Sequence, residues 1–398
     1  MKILWVKSDF LHPTTKGGQI RTLEMLKQLH RRHEIHYIAL DDGTQPEGLA
    51  RSGEYSSHAY AIPHRVPEKT SSAFAVQLAS GLFSSMPVAI SRYVSAAMKQ
   101  KTRELIAREK FDSVVCDFLS AAPNVPNLPE CVLFEHNVES TIWQRRVEHA
   151  ANPAARWYLG IQARRMLQYE GEVCRTARRV IAVSELDAER MRKQFQTPGA
   201  AAVPTGVDVE YFTPPSPQPK NSDLAFVGSM DWMPNSEGIL WFVREVLPVI
   251  RRRLPECSLT VVGRKPSEEI LQLAKDDSRI AVTGTVPDVR PYLWQSSVSI
   301  VPLRIGGGTR LKIYEAMAAR SPVVSTTIGA EGLTVSDGED IRLADTSESF
   351  ARICVELLED QAGRERLAQA AWNMVQSRCS WEAVSHEFER LLISYSIS

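Results

Sequence analysis

The stretch PLRIGGGTRLKIYEAMAARSPVV, residues 302–324, places Gly306, Gly307 and Gly308 directly ahead of a segment with helical periodicity. Glycines let a backbone approach an anion closely, and the unpaired N–H groups at a helix start carry a partial positive charge. With Thr309 as the helix cap, the free N–H groups of residues 309–312 point back at the turn, and Arg310 and Lys312 add full charges beside it. Backbone donors plus fixed cations suit a diphosphate held without a metal ion. Glu315, three residues beyond Lys312, could accept from ribose hydroxyls or pair with Lys312 on the helix surface. The turn is not a Walker A loop, because no G-K-[ST] closes it, and it is not G-x-G-x-x-G with a downstream ribose acid.

Other glycine corners share this character. Gly17 and Gly18 precede a helical stretch and could border an anion or form a plain turn. His136 follows the apolar run CVLFE and precedes Asn137, Glu139 and Ser140, a position for donating to a sugar hydroxyl or for an ordinary loop histidine. FVGSMDWMPNSEGIL ends a strand at Gly228 and restarts as a helix near Asn235, read as its cap; TVVGRKPSEEI has Gly263, Arg264 and Lys265 before a Ser267 cap. VTGTVPDVRPYLW, containing Val286 and Pro287, makes a further corner.

Short β-branched runs must position these corners: KILWV, IHYIAL, HAYAI, SVVCDF, CVLFEH and RVIAVS in the first half, then DLAFVG, SLTVVG, IAVTG, VSIVPL and PVVST. Amphipathic segments such as GQIRTLEMLKQLHRR and ELDAERMRKQF lie between them, the pattern of parallel strands linked by helices. Ligands of such sheets bind beyond the carboxyl ends of the strands, where the corners fall. At 398 residues two domains are expected. Residues 1–202 read as a first domain and 223–377 as a second. Between them 203–222 carries prolines at 204, 214, 215, 217 and 219 and reads as a semi-rigid linker, while 378–398 reads as a C-terminal helix with Trp381 and Phe388 as packing residues.

The 47 basic residues balance 47 acidic ones, which gives no vote for nucleic acid. The six cysteines, widely scattered without C-x-x-C, read as reduced buried thiols in a cytoplasmic protein. MKILWVKSDF is too short and too charged for a signal sequence, and no run approaches a membrane span. Arg156, Arg164, Arg165, Arg175, Arg178 and Arg179, with Trp157 and Tyr158, would suit either an anionic membrane surface or a solvated helix.

Together KGGQ, FEHN, VPTGVDVEYF, FVGSM, VTGTVPDVRPYL and GGGTRLKIYEAMAARSPVVSTTIGAEGL resemble the retaining glycosyltransferases of family 4, the glycosyl transferases group 1. That resemblance implies an α/β GT-B fold, two Rossmann-like doubly wound domains facing across a cleft. A nucleotide-diphosphate sugar would be held mainly by the second domain and a saccharide or lipid-linked acceptor mainly by the first, with the C-terminal helix crossing back. It implies no cofactor and no obligatory metal, and a role in polysaccharide or glycolipid synthesis; the basic and aromatic stretch leaves open peripheral contact of a cytoplasmic protein with the inner face of the membrane. By the resemblance Glu315 contacts the ribose, His136 reaches the donor sugar, Gly17 and Gly18 lie beneath the diphosphate, and Val286 and Pro287 clasp the base. Donor contacts are further expected at Gly228, Gly263, Arg264, Gly306, Gly307, Gly308, Thr309 and Leu311.

The chain departs from the family at Gly307, where a sugar-contacting glutamate is expected, and it lacks the Arg and Lys pair after the FVG strand. Arg310 and Lys312 are the substitutes for neutralising the leaving phosphate, and with His136 they form the catalytic set. A nucleotide-sugar epimerase, a phosphorylase and a non-catalytic nucleotide-sugar-binding subunit are the competing readings.

Overall fold

In the computed structural model the β-branched runs become two all-parallel sheets. The structure describes every residue except 15–16, 68–70, 72–75, 80, 83, 149, 151, 217–219, 306–309 and 395–398. By its internal contacts the chain divides into two units, Met1–Pro204 with the chain from Val384 onward, and Thr205–Ala383.

The first unit carries β1 (Lys2–Lys7), β2 (Glu34–Asp41), β3 (His58–Pro63), β4 (Ser113–Asp117), β5 (Val132–Glu135), β6 (Arg179–Ala182) and β7 (Ala201–Ala202). Their order is β3-β2-β1-β4-β5-β6-β7. The chain therefore winds outward from β1, returns, and continues from β4 on the other side. Burial on both faces explains why β1 and β2 read as nearly unbroken apolar runs. Trp5, Phe134 and Phe388 pack together, with Phe388 5.6 Å from Trp5 and 5.0 Å from Phe134 between ring centres.

The second unit carries β8 (Ser222–Val227), β9 (Leu259–Val262), β10 (Ile280–Val282), β11 (Ser296–Val301), β12 (Val323–Ser325) and β13 (Arg342–Leu343), in the order β10-β9-β8-β11-β12-β13. Here the winding reverses between β8 and β11. Leu224, Phe226, Val261, Ile300 and Val324 form its centre, with Phe350 closing over Trp241 and Phe242.

Two expectations need correction. Residues 205–213 are not linker: Val207, Val209 and Phe212 are buried in the second unit's core, and the Val207 N–H donates to the Cys379 carbonyl at 2.7 Å. A short helix, Val209–Phe212, forms there because Asp208 caps it by accepting from the Tyr211 N–H and the prolines fall outside it. The C-terminal helix begins at Trp381 and runs to Ile393 rather than starting at 378. Gly206 has no room for a β-carbon, which would lie 2.3 Å from the Trp381 ring. The two-residue edge strands β7 and β13 escaped the sequence reading because two residues show no periodicity. All six cysteines are buried and unpaired.

Candidate active site

The reversal between β8 and β11 brings two corners of the second unit together. After β8 the chain passes Gly228 and enters the helix Met233–Trp241; after β11 it leads to the helix Leu311–Ala318. The first helix starts at Met233, so Asn235 lies within it and is not its cap. Pro234 in the first helical turn fits that earlier start. Buried Asn235 bridges the corners instead: its Nδ2 donates to the Ser229 carbonyl at 2.7 Å, and its Oδ1 accepts from Lys312 Nζ at 2.7 Å.

Lys312 thus turns inward, its Nζ 4.3 Å from the centre of the Phe226 ring. A β-carbon on Gly228 would stand 2.5 Å from that Nζ, so glycine here makes room for the ammonium. Burial, opposed by the Glu315 charge and reinforced by Arg310, brings the Lys312 pKa down to about 7. Arg310, 3% exposed, packs its guanidinium 5.4 Å from the Trp232 ring centre. Glu315 is half-buried, and burial raises its pKa while Lys312 opposes the rise. The helix begins at Leu311 with Arg310 as the residue before it, a later start than a Thr309 cap requires. Gly306, Gly307, Gly308 and Thr309 lie outside the described residues.

The neighbouring corners join the same rim. Gly263 approaches so closely that a β-carbon would sit 1.8 Å from the Gly228 carbonyl oxygen, which no side chain survives. The Met230 N–H donates to the Arg264 carbonyl, and Arg264 Nε to Ser229 Oγ at 2.7 Å. Val286 and Pro287 follow β10, with Val286 half-buried and Pro287 exposed. The expected residues Gly228, Gly263, Arg264 and Arg310 therefore come from the carboxyl-end loops after β8, β9 and β11, and Lys312 and Glu315 from the first turns of the helix that follows β11. Nothing in the local pattern announced Asn235 as the bridge.

The first unit has a second polar centre at its own reversal point. Lys7 ends β1 and Asp117 ends β4, and their side chains form a buried ion pair at 2.9 Å. Asp117 Oδ2 also accepts from Trp5 Nε1 at 2.9 Å and Thr22 Oγ1 at 2.8 Å. Burial alone would raise the Asp117 carboxyl, but the Lys7 ammonium and the His136 hydrogen bond hold it well below the usual range. His136, after β5, stacks on Phe118 at 3.9 Å with the rings 8° from parallel. Its Nε2 lies 2.7 Å from Asp117 Oδ1 and its Nδ1 3.3 Å from Arg21 NH1. Burial outweighs Asp117 and pushes the imidazole pKa down to about 3, so the ring is neutral, donating from Nε2 and accepting at Nδ1.

Both His136 ring nitrogens are therefore engaged within the protein, and the ring is 4% exposed. The expected donation to a sugar would thus come from a ring that already pairs with Asp117 and Arg21. Gly18 likewise has a packing reason, since its β-carbon would lie 2.5 Å from Phe118 Cζ, whereas Gly17 is exposed with open space around it. Phe118 adopts φ 72°, uncommon without glycine, and holds the stack in place. Beside it opens a cavity of about 380 Å³, lined by Ser8, Asp9, Gln19, Asp41, His64 and Tyr93 among others.

The arginine-rich helix Pro153–Thr176 is less uniform than its sequence. Arg165 donates to the Gly81 and Leu82 carbonyls, and Arg179, in β6, donates to the Leu391 carbonyl and Ser394 Oγ. Tyr158 donates to the Leu78 carbonyl at 3.3 Å, while Trp157 is 63% exposed. Among the described residues no helix is long and apolar enough to cross a membrane.

Comparison with known proteins places these units in a family. Residues 221–360 match the family described as "Glycosyl transferases group 1", and residues 15–211 match "Glycosyltransferase Family 4". An "Uncharacterized 44.6 kDa protein in cps region" of Klebsiella pneumoniae is 21% identical over 94% of this chain and 95% of its own. A "GDP-mannose-dependent monoacylated alpha-(1-6)-phosphatidylinositol monomannoside mannosyltransferase" of Corynebacterium glutamicum is 28% identical over 53% of this chain and 61% of its own. The structure of Anabaena HepE in complex with UDP and glucose superposes with a TM-score of 0.64 at 14% identity, covering 99% of this chain and 100% of that one. The shared architecture is the GT-B fold of glycosyltransferases.

Proposed function

The chain belongs to the group 1 glycosyl transferases and is a glycosyltransferase, and on that premise we propose that it moves a sugar from a nucleotide-diphosphate sugar to a hydroxyl acceptor. The observation that carries this reading is the inward-turned Lys312, held by Asn235 in the space that Gly228 leaves free. A diphosphate leaving a sugar gains negative charge, and a fixed ammonium beside glycine corners stabilises that charge more in the transition state than in the ground state. Lys312 and Arg310 fill the role of the missing cation pair after β8. Glu315, one turn into the same helix, receives the ribose hydroxyls, and the residues after β10, Val286 and Pro287, border the base.

Transfer proceeds with retained anomeric configuration and without an obligatory metal, both supported by the family resemblance. The leaving phosphate takes the acceptor proton, so no protein base is required. The acceptor side is the first-unit cavity beside Phe118, whose Asp9, Asp41, Gln19 and His64 can accept from or donate to hydroxyl groups. His136 is a positioning residue there, acting through Asp117 and Phe118. The Corynebacterium relative is named as a phosphatidylinositol monomannoside mannosyltransferase and the Klebsiella relative for a cps region; both names support polysaccharide or glycolipid synthesis, which we place in a cytoplasmic protein at a membrane's inner face.

A thermal-shift screen with UDP, GDP, ADP and TDP tests the donor: one nucleotide should stabilise strongly, by about 2.7 kcal/mol at a hundred times its Kd. Turnover of Lys312→Ala and Glu315→Ala with that nucleotide's sugar then tests the corner. Unchanged rates in both would sink the assignment, and NMR of the product anomer decides between retention and inversion.

A further inference from the structure

At the amino-terminal edge of the first unit's sheet, Glu34, His36 and His58 converge. Glu34 and His36 stand two residues apart on β2 and so face the same side, and His58 opens β3 directly opposite His36 in the parallel register. His36 Nε2 lies 2.9 Å from Glu34 Oε1, and His58 Nε2 lies 3.7 Å from the same oxygen. The three ligand atoms fall within 4.8 Å of one another. Ligands about 2.0–2.2 Å from a tetrahedral zinc ion stand roughly 3.3–3.6 Å apart, a spacing that the two distances bracket.

We propose that Glu34, His36 and His58 form a binding site for a zinc-class divalent transition-metal ion, with water completing the coordination. Two imidazoles and one carboxylate are a donor set that such ions take, and magnesium and calcium prefer all-oxygen sites. The surroundings have the features of an outer shell. Tyr60 Oη lies 3.1 Å from His36 Nδ1, so Nδ1–H can donate to the phenol and leave the Nε2 lone pair facing Glu34 and His58. Phe111 presents its ring to His36 at 5.0 Å and 82°, which fixes the imidazole plane.

Lys2 is the cation now nearest Glu34, at 3.4 Å, but it also holds Glu109 at 2.6 Å. A metal ion can therefore take Glu34 without stranding the lysine. The ion would tie β2 to β3 at the end of the sheet opposite Lys7, Asp117 and His136. Its role is structural, and it is independent of sugar transfer.

The test is isothermal titration of the full chain, stripped with chelator, with zinc chloride near neutral pH. We expect one equivalent bound per chain, with His58→Ala and Glu34→Gln each weakening binding by at least about tenfold. His58 and Glu34 are both exposed, so these variants should fold, which circular dichroism verifies. Cobalt(II) in place of zinc should give a visible tetrahedral spectrum that His58→Ala loses. No saturable binding, or unchanged affinity in both folded variants, would overturn the site, and neither result bears on donor binding.

Discussion

Lys312 Nζ donates a 2.7 Å hydrogen bond to Asn235 Oδ1, across a separation of 77 residues. The contact joins the helix after β11 to the helix after β8, and Gly228 lies against both side chains: its β-carbon would stand 2.5 Å from Lys312 Nζ and 2.8 Å from Asn235 Nδ2. One ammonium, one amide and one glycine thus meet at the point where the proposed function has a leaving phosphate held.

Lys312→Ala removes the only part of that trio that carries charge. We expect kcat/KM to fall by about 10²–10³, the usual cost of one transition-state donor, with the fold retained. Gly228→Ala should keep the charge but displace it, lowering donor affinity and costing about 1–3 kcal/mol of stability through overpacking. Steady-state kinetics with the cognate donor, alongside thermal melts, separates the two effects.

The same lysine sets a pH dependence. Its pKa in the donor-free protein is brought down to about 7 by burial, and only the protonated form stabilises phosphate. Above that pH the amine is neutral, so kcat/KM, which reports the free enzyme, should fall as pH rises through about 7. Lys312→Arg, whose guanidinium stays charged, should flatten that limb even where its absolute rate is lower. A kcat/KM profile that is level through this range in the wild type would remove Lys312 from the phosphate site.

Much of the scaffold was legible because buried strands read as short apolar runs, and β8, β9 and β11 stop at Gly228, Gly263 and Pro302; β7 and β13 are too short to show such a run. The glycine corners were legible for a related reason, since Gly263 must admit the Gly228 carbonyl. Asn235 was misread as a cap, because a side chain's local options look alike in sequence while its partner lies in another helix. Lys7 registered only as an interruption of an apolar run, and its partner Asp117 is 110 residues away. Gly18 could border an anion or form a plain turn by sequence, and the ring of Phe118 gives it a packing reason as well; a sequence does not show which neighbour claims a missing β-carbon.

That contact makes Gly18→Ala informative. The new β-carbon would lie 2.5 Å and 2.9 Å from two atoms of the Phe118 ring, and Phe118 cannot yield without leaving the His136 stack. We expect a loss of about 1–3 kcal/mol in denaturant unfolding. Gly17→Ala, with open space around it, should cost less than 1 kcal/mol or add slightly to stability. Equal effects at the two positions would show that stacking is not the reason for Gly18.

His136 should make the protein acid-sensitive. Its folded pKa of about 3 lies below the ordinary 6.5, so the unfolded chain binds the proton first. Stability is therefore complete above pH 6.5 and is lost as pH falls toward about 3, at up to about 1.4 kcal/mol per pH unit. His136→Gln can still donate to Asp117 and accept from Arg21 but does not titrate. Denaturant unfolding at several pH values between about 6.5 and 4 should show a shallower slope for the variant than for the wild type.

Glu135, the residue before His136, carries the opposite sign. It is fully buried, neither carboxyl oxygen has a hydrogen-bond partner among the described residues, and burial, with Glu170 and Glu139 nearby, holds its pKa well above the ordinary 4.5. A raised folded pKa means that the native state binds the proton more tightly, so this contribution is fully present below pH 4.5 and is lost as pH rises through the folded value. Glu170 adds to the same trend, its pKa raised to about 7 by burial although it accepts the N–H groups of Glu139 and Ser140. Glu135→Gln removes the titration and Glu135→Leu removes the polar group altogether. Because an unpaired buried polar group costs about 1–3 kcal/mol, Glu135→Leu should stabilise the protein by that order at neutral pH if its shape is accommodated. The gain should shrink on acidification, where the wild-type carboxyl is neutral in both states. Unfolding curves of the two variants at neutral pH and near pH 4.5 therefore distinguish a proton-linked cost from a packing defect, which would be the same at both.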